Sequence, residues 1–432
     1  MGYAECKEQS SQGNVPNKRE QSQTCLGYAE REGHLHKENI PNLRFPEFSG
    51  EWESNELHKV ASLSKGTGIS KDQLSDSGHP CILYGELYTK YKSEIIREVY
   101  SKTQLDVANL VKSHTNDVII PCSGEAAIEI ATARCVLTPD VLLGGDLNII
   151  RLNGRHDGGF FAYQLNGKRK VDIAKVAQGV SVVHLYGEHL KKVKVAYPSL
   201  EEQQKISSFL ALLDERIATQ IKIIEKLESL IKGLTDDAFC CNGNITMVRF
   251  SSLYKDAGEG GTPSTSNSEY YEGGIIPFVK IDDLTAKYLV AHKDCITEQG
   301  MRKSSAWLVP SGSIIYSNGA TIGSISINTY PVCTKQGILG IIPKDNVDVE
   351  YLYYLMTSVY FRKEIHRIIT EGTMKTAYLK DINKILCPLP NIGIQKSIAD
   401  KLSSITKKIE LEYQVLSSLQ RQKRYFISQL FI

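Results

Sequence analysis

Ser123, Glu125 and Glu129, in the run SGEAAIE, put a hydroxyl and two carboxylates within about one helical turn. These are residue types that nucleophilic and acid–base catalysis employ, although a solvated helix face has the same composition and is the reading adopted. KGTGISK, Lys65 to Lys71, comes nearest to a phosphate-cradling loop, but its glycines stand too close together for a P-loop. Pro139 and Asp140 begin a nuclease-like carboxylate pattern with no Asp/Glu-x-Lys at a suitable distance. His34 and His36 form an isolated HxH in a polar tail, a weak metal signal. No amino-methyltransferase tetrad, FxGxG cofactor loop, HExxH, GxSxG or EF-hand pattern occurs. Ten cysteines include no CxxC pair, and adjacent Cys240 and Cys241 suit a loop, so reduced structural cysteine is expected rather than a zinc ribbon or disulfide framework. These absences favour binding or assembly over catalysis.

The elements that would carry such residues are written twice. YGEHLKKVKVAYPSLEEQQKISSFL, from Tyr186, aligns without a gap on YLKDINKILCPLPNIGIQKSIADKL, from Tyr378, at an offset of 192 residues. Leu190 meets Ile382, Pro198 meets Pro390, Gln203 meets Gln395 and Leu210 meets Leu402. A repeat this long implies a duplicated domain plus helix, not a stacked solenoid. Ile206, Leu210, Leu213, Ile217, Ile221, Ile224, Leu227, Ile231 and Leu234 step by threes and fours along the first copy. Ile398, Leu402, Ile405, Ile409, Tyr413 and Leu416 do so along the second. Each stripe wants a partner, so the economical arrangement is an antiparallel pair of helices, each about 35 residues and roughly 50 Å long, with a globular domain at each end.

Before each helix, β-type runs are punctuated by Gly, Pro and Asn: HPCILYGELY (79–88), DVIIPCS (117–123) and DLNIIRL (146–152), then a helix over 158–177. The second domain repeats the order with IIPFVKIDDL (275–284), SGSIIYSNGATIGSISI (311–327) and GILGIIP (337–343), then a helix over 349–368. The fold class is therefore α+β with an internal pseudo-twofold. The expected divisions are a weakly ordered extension over 1–38, domains at 39–197 and 237–387, and spacer helices at 198–236 and 388–432. Hydrophobic content of 41% and charged content of 23% describe a globular protein. No long apolar run or secretory leader is evident, which predicts a cytoplasmic protein without a membrane partner. A net charge of +2 does not advertise nucleic-acid binding, although the last helix is locally basic.

NIPNLRFPEFSGEWE (39–53), GGTPSTSNSEYYEGGIIPFVKIDDL (260–284), SSAWLVPSGSIIYSNGATIGSISI (304–327) and PSLEEQQKI (198–206) before a long amphipathic helix resemble the specificity subunit of type I restriction–modification systems, from about Asn39 to the end. The resemblance implies two target recognition domains, each reading half of a bipartite, asymmetric double-stranded DNA sequence. It implies helices that set the spacing and dock two modification subunits, and a complex completed by two restriction subunits. It further implies that this chain binds no cofactor: S-adenosylmethionine, ATP and Mg2+ belong to the partner subunits, where catalysis lies. The second helix lacks the acidic pair Glu201–Glu202 of the first, so the two docking contacts need not be equal. Two other readings remain. A recognition subunit of another restriction architecture differs by whether a separate methyltransferase co-purifies. A coiled-coil scaffold predicts no salt-dependent DNA binding.

DNA reading requires donors and acceptors on loops, with basic groups for phosphate. On the second domain the expected contacts are Thr262, Ser264, Thr265, Lys280, Ser317, Asn318, Thr321, Lys335, Gln336, Thr373 and Lys375. On the first domain, placed by the repeat, they are Lys65, Lys71, Tyr84, Ser123, Gln178 and Ser181. Asn318–Gly319 also suits a tight hairpin turn.

Overall fold

A computed structural model describes residues 39–179, 182–239, 246–369 and 376–432. Each domain is built on a five-stranded sheet of the same order. In the first, the strands run Ala61–Lys65, Leu147–Leu152, Asp117–Pro121, Arg134–Val136, Ile95–Ile96; in the second, Tyr254–Glu259, Ile338–Pro343, Ile314–Ser317, Ile325–Asn328, Tyr288–Leu289. Only the last pair of each is parallel. The central strands are covered on both faces, which is why DVIIP and ILGII read as continuous apolar runs.

Each domain adds a smaller sheet. His79–Ile82 lies between antiparallel Ser101–Thr103 and parallel Leu142–Leu143, and Ile276–Val279 lies between antiparallel Asp294–Ile296 and parallel Cys333–Thr334. The strand expected over 79–88 stops at Ile82, where the Glu86 carboxylate accepts from the Leu83 amide and opens a short helix, Glu86–Thr89.

Six longer helices follow in chain order: α1 (Gly158–Asn166), α2 (Lys170–Val176), α3 (Leu200–Phe239), α4 (Val349–Thr357), α5 (Val359–Ile368) and α6 (Ile392–Leu430). The single helices expected over 158–177 and 349–368 are therefore each two. Gly167 interrupts the first, and Ser358 interrupts the second by turning extended and capping the Phe361 amide with its hydroxyl.

The spacer helices contain 40 and 39 residues, so each extends about 60 Å, and α3 runs past 236 to Phe239. They pack antiparallel: the Phe209 and Phe426 rings meet edge-on at 4.9 Å, Gln220 donates to the Glu412 carbonyl at 3.1 Å, and the Tyr413 hydroxyl donates to Glu228 at 2.7 Å. Ile206, Leu210, Ile224 and Leu402 are buried, while Leu213, Ile217, Ile221, Leu227, Ile398, Ile405, Ile409 and Leu416 are half-buried. Leu234 and Tyr413, which the period adds to the stripes, are exposed. No helix among the described residues is long and apolar enough to cross a membrane.

Each helix starts in one domain's core and ends in the other's. Ile206 and Leu210 of α3 belong to the first core, and Phe239 reaches Tyr351 of the second at 5.3 Å. Ala399 and Leu402 of α6 belong to the second core, and Leu430 and Phe431 close the first. Phe431 packs at 5.1 Å on Phe160 and 6.5 Å on Trp52, while the Leu43 amide bonds the Gln429 carbonyl at 3.0 Å.

The repeated glutamines fasten helix to domain. Gln203 donates to the Pro198 carbonyl at 2.8 Å and accepts from the Asp157 amide at 3.0 Å; Gln395 donates to Pro390 at 2.8 Å and accepts from Asp348 at 2.9 Å. Asp157 and Asp348 in turn cap α1 and α4. Each glutamine is almost fully buried, so Gln203→Ala or Gln395→Ala strands a buried amide and carbonyl and is expected to cost about 1–3 kcal/mol. The two sites share no partner, so the double variant should lose the sum to within about 0.5 kcal/mol. Urea denaturation measures both, and a double variant no weaker than either single one contradicts the independence of the two fastenings.

The acidic pair of the first helix has its own use. Arg44 grips Glu202 with two bonds, Nε to Oε1 at 2.8 Å and Nη2 to Oε2 at 2.7 Å, tying the segment that enters the first domain to α3. The aligned residue of α6, Ile394, is exposed.

Candidate nucleic-acid interface

Backbone bonds at the strand ends away from α1 and α4 fix which residues correspond. The Gly66 amide donates to the Leu147 carbonyl at 3.0 Å, as Gly260 does to Ile338 at 2.9 Å. Cys122 donates to Asp146 at 2.8 Å as Asn318 does to Gly337 at 3.0 Å, and Leu185 donates to Cys122 at 2.7 Å as Ala377 does to Asn318 at 2.9 Å. These two ends carry most of the residues expected to contact DNA.

On the second domain, Thr262 meets Gln336 through a bond from the Gln336 amide to Oγ1 at 3.4 Å, and the Lys335 amide bonds the Val279 carbonyl beside Lys280 at 3.0 Å. Ser264, Thr265, Thr321, Lys335 and Gln336 are exposed, and Ser264 shares a 2.8 Å hydroxyl contact with Ser266. Lys280 pairs with Asp294 at 2.8 Å. Together these give a ridge of hydroxyls, one amide and one exposed ammonium.

Ser317 and Asn318 do not reach that ridge. Both are fully buried, because they end the strand that lies in the middle of the sheet, flanked on both sides. Asn318 Nδ2 donates to the Ala377 carbonyl at 3.3 Å, so this residue anchors the returning chain instead of facing solvent. Nor is Asn318–Gly319 a two-residue turn: the hairpin closes between Ser317 and Ser324 at 2.8 Å, with Gly323 at φ 102°. Thr373, Lys375 and Ser181 lie outside the described residues.

On the first domain, Lys71 and Tyr84 line one open groove of about 1230 Å³, together with Gly66, Ile69, Gly144 and Asp146. Two of its backbone segments touch: a Cβ on Gly66 would lie 2.0 Å from the Gly144 carbonyl oxygen. Lys65 ends the adjoining strand and is exposed. Ser123 is half-buried, its carbonyl accepting from the Tyr88 hydroxyl at 3.2 Å, and Gln178 exchanges backbone bonds with His184 at 2.9 and 2.7 Å; neither lines the groove. Sequence reading missed Ile69, Gly144 and Asp146. The signal was there, in two glycine pairs, Gly66/Gly68 and Gly144/Gly145, placed where backbones approach closely.

The chemistry on offer is recognition. Exposed hydroxyls, an amide, a phenol and ammonium groups suit base edges and phosphates. Burial pushes the Cys122 thiol up to about 11, against partial relief from Lys65, leaving it an inert neighbour. Among the described residues, no group of three His, Cys, Asp or Glu could hold a metal ion. In the assembled complex, Lys71→Ala and Lys335→Ala are each expected to weaken binding to all DNA sequences alike and to lower the slope of log affinity against log salt by about one. Fluorescence anisotropy over a salt series reads that slope; an unchanged slope removes the lysine concerned from the phosphate contacts.

The type I restriction modification DNA specificity domain model matches residues 49–229 and again 246–421. A putative type I restriction enzyme MjaX specificity subunit of Methanocaldococcus jannaschii is 23% identical over 425 residues, covering 91% of this chain and 96% of that protein. The MjaIX specificity subunit of the same organism is 37% identical over 165 residues, 36% of this chain and 37% of that one. Among solved structures, the type I restriction–modification S subunit from M. genitalium superposes with a TM-score of 0.58 at 15% identity, over 91% of this chain and 99% of that chain. A chain from a structural study of type I R-M complex assembly and conformational transition superposes with a TM-score of 0.55 at 16% identity, over 88% and 97%. At those identities the superpositions speak for the fold alone.

Proposed function

The chain belongs to the type I restriction–modification DNA specificity family, and from that premise we propose that its two domains each read one half of a bipartite, asymmetric DNA target while α3 and α6 hold the halves at a fixed separation. The observation that carries the reading is the matched placement of polar loops: Lys71 and Tyr84 on one domain, Thr262, Lys335 and Gln336 on the other, at corresponding strand ends of two sheets joined by one rigid pair of helices. Two modules reading one face of B-DNA need a separation near one turn, roughly 34 Å, which helices of about 60 Å can impose.

In this reading the chain supplies the address and no chemistry of its own. Two modification subunits dock along the helices and methylate, drawing on S-adenosylmethionine, and two restriction subunits use ATP and Mg2+. Single-molecule methylation mapping of DNA from cells co-expressing the chain with its modification subunit tests this. A split motif that vanishes when the chain is omitted is expected. A stable complex that leaves no motif overturns it.

A further inference from the structure

Two carboxylates line the groove of the first domain, Glu86 and Asp146, and they are used differently. Glu86 is buried and fully engaged: one oxygen takes Lys90 at 2.6 Å and the Ser101 hydroxyl, and the other takes the Leu83 amide at 3.0 Å. Asp146 is exposed, and among the described residues its carboxylate takes no hydrogen bond and no ion pair. Nor does it serve its own turn, since it bonds no neighbouring amide. The backbone that carries it is clamped. The Asp146 carbonyl accepts from the Cys122 amide at 2.8 Å and the Leu147 carbonyl from the Gly66 amide at 3.0 Å; just before them, the Gly144 amide donates to Ile82 at 2.9 Å and the Thr67 amide to Leu143 at 3.0 Å. A Cβ on Gly145 would lie 3.1 Å from the Gly68 Cα. A free carboxylate on a fixed backbone is a preorganised acceptor. The second domain has no counterpart: Gly337 stands in the place of Asp146, and the Glu259 carboxylate there is spent on the Gly337 amide at 2.8 Å.

We propose that Asp146 is a specificity-determining residue that reads one G·C base pair in the half-site of the first domain, an assignment that rests on the proposed role of that domain in reading DNA. A carboxylate accepts hydrogen bonds and donates none, and a phosphate repels it, so its partners in a DNA groove are base amino groups. Cytosine offers N4 in the major groove with no acceptor beside it, and guanine offers N2 in the minor groove, whereas adenine sets the acceptor N7 next to N6. From either groove, an unpaired carboxylate favours G·C over A·T. Lys71 in the same groove and the exposed Lys65 on the adjoining strand supply the phosphate contacts, while Asp146 discriminates. Because Gly337 has no side chain to offer, the second domain must read its half-site by other groups, as an asymmetric target requires.

Methylation motifs are mapped in cells co-expressing the modification subunit with wild type or Asp146→Ala. The wild-type motif is expected to specify a G·C pair at one position that the variant relaxes to any base, with the rest of that half-site and the whole of the other unchanged. Fluorescence anisotropy of the assembled complex, on the target duplex and on duplexes with A·T at each G·C position in turn, should show about tenfold discrimination at that position in wild type and none in the variant. The salt slope should be the same in both, because the carboxylate neutralises no phosphate. A wild-type motif that the variant reproduces in full overturns the proposal alone, as does relaxation at an A·T pair. A variant that loses methylation but keeps wild-type discrimination on every duplex overturns it too. A wild type with no split motif overturns the reading role of the domain and this assignment with it.

Discussion

Lys423→Met is expected to destabilise the protein by about 3–5 kcal/mol, because it removes the one ammonium that answers two buried carboxylates. Lys423 Nζ lies 2.5 Å from both Glu94 and Asp214, whose side chains are 10% and 7% exposed. Asp214 also accepts from the Tyr163 hydroxyl at 2.7 Å and from Ser93 at 2.9 Å, so it has no easy route to water. Burial alone would lower the lysine's pKa, but Glu94 and Asp214 outweigh it and hold the ammonium above its ordinary value. A raised lysine contributes its full stability below its unfolded pKa of about 10.4 and loses it as pH climbs through the folded value. Wild type and variant should therefore differ fully at neutral pH and converge only in strongly alkaline solution. Urea denaturation at several pH values measures the gap; a neutral-pH penalty under about 1 kcal/mol would mean that solvent reaches the carboxylates. The repeat puts Ile231 where Lys423 stands and Thr406 where Asp214 stands, and there the Tyr354 hydroxyl meets Thr406 at 3.0 Å and accepts from Lys287 at 3.2 Å, whose carboxylate partner at 2.8 Å is Glu350 of α4 and not a residue of either spacer helix. The two ends of the spacer are chemically keyed, which disfavours the exchanged pairing that two helices of similar apolar pattern invite.

Phe431→Ala should be comparably severe, about 3–5 kcal/mol, and local to the first domain although the residue directly follows α6. Phe431 is 2% exposed and completes an aromatic cluster with Phe160 and Trp52. Hydrogen exchange resolved by mass spectrometry should show faster opening of the strands Asp117–Pro121 and Leu147–Leu152, with Ile314–Ser317 and Ile338–Pro343 unchanged. If both sheets open together, the domains are one cooperative unit and the prediction fails. In the proposed function the same variant blurs the half-site read by the first domain and leaves the other half of the methylation motif intact.

Much of this architecture was legible in the residues. The offset of 192 that aligns Gln203 with Gln395 marks two helices fastened by the same amide bonds, and the apolar steps from Ile206 to Leu227 mark a seam. What stayed hidden depends on contacts between distant positions. Nothing near Lys423 announces Glu94, 329 residues away, so the lysine reads as one more charge on a solvated face. Ser317 and Asn318 look like a polar turn until the sheet closes on both sides of them. Gly167 and Ser358 break their helices through local backbone choices that periodicity averages over. Polar loops outline the proposed reading surface only coarsely, since Ser123 and Lys71 have similar credentials in sequence and different surroundings in space.

Because α3 and α6 are each anchored at both ends, in opposite cores, the rod can neither slide nor swivel without tearing a core. Its length and its torsional phase are thereby locked to one another. An α-helix advances about 1.5 Å and turns about 100° per added residue; B-DNA advances about 3.4 Å and turns about 35° per base pair. The two screws coincide only at certain increments. Four residues give about 6 Å and 40°, short of two base pairs in both rise and rotation. Seven give about 10.5 Å, close to the rise of three base pairs, but the helix has by then come back nearly to its starting angle while the DNA has gone on about a third of a turn. Half-site spacing in such a protein would thus change in steps, each demanding a small compensating twist in protein or DNA. Drift by single residues would put one reading face out of phase with its groove before it changed the distance usefully.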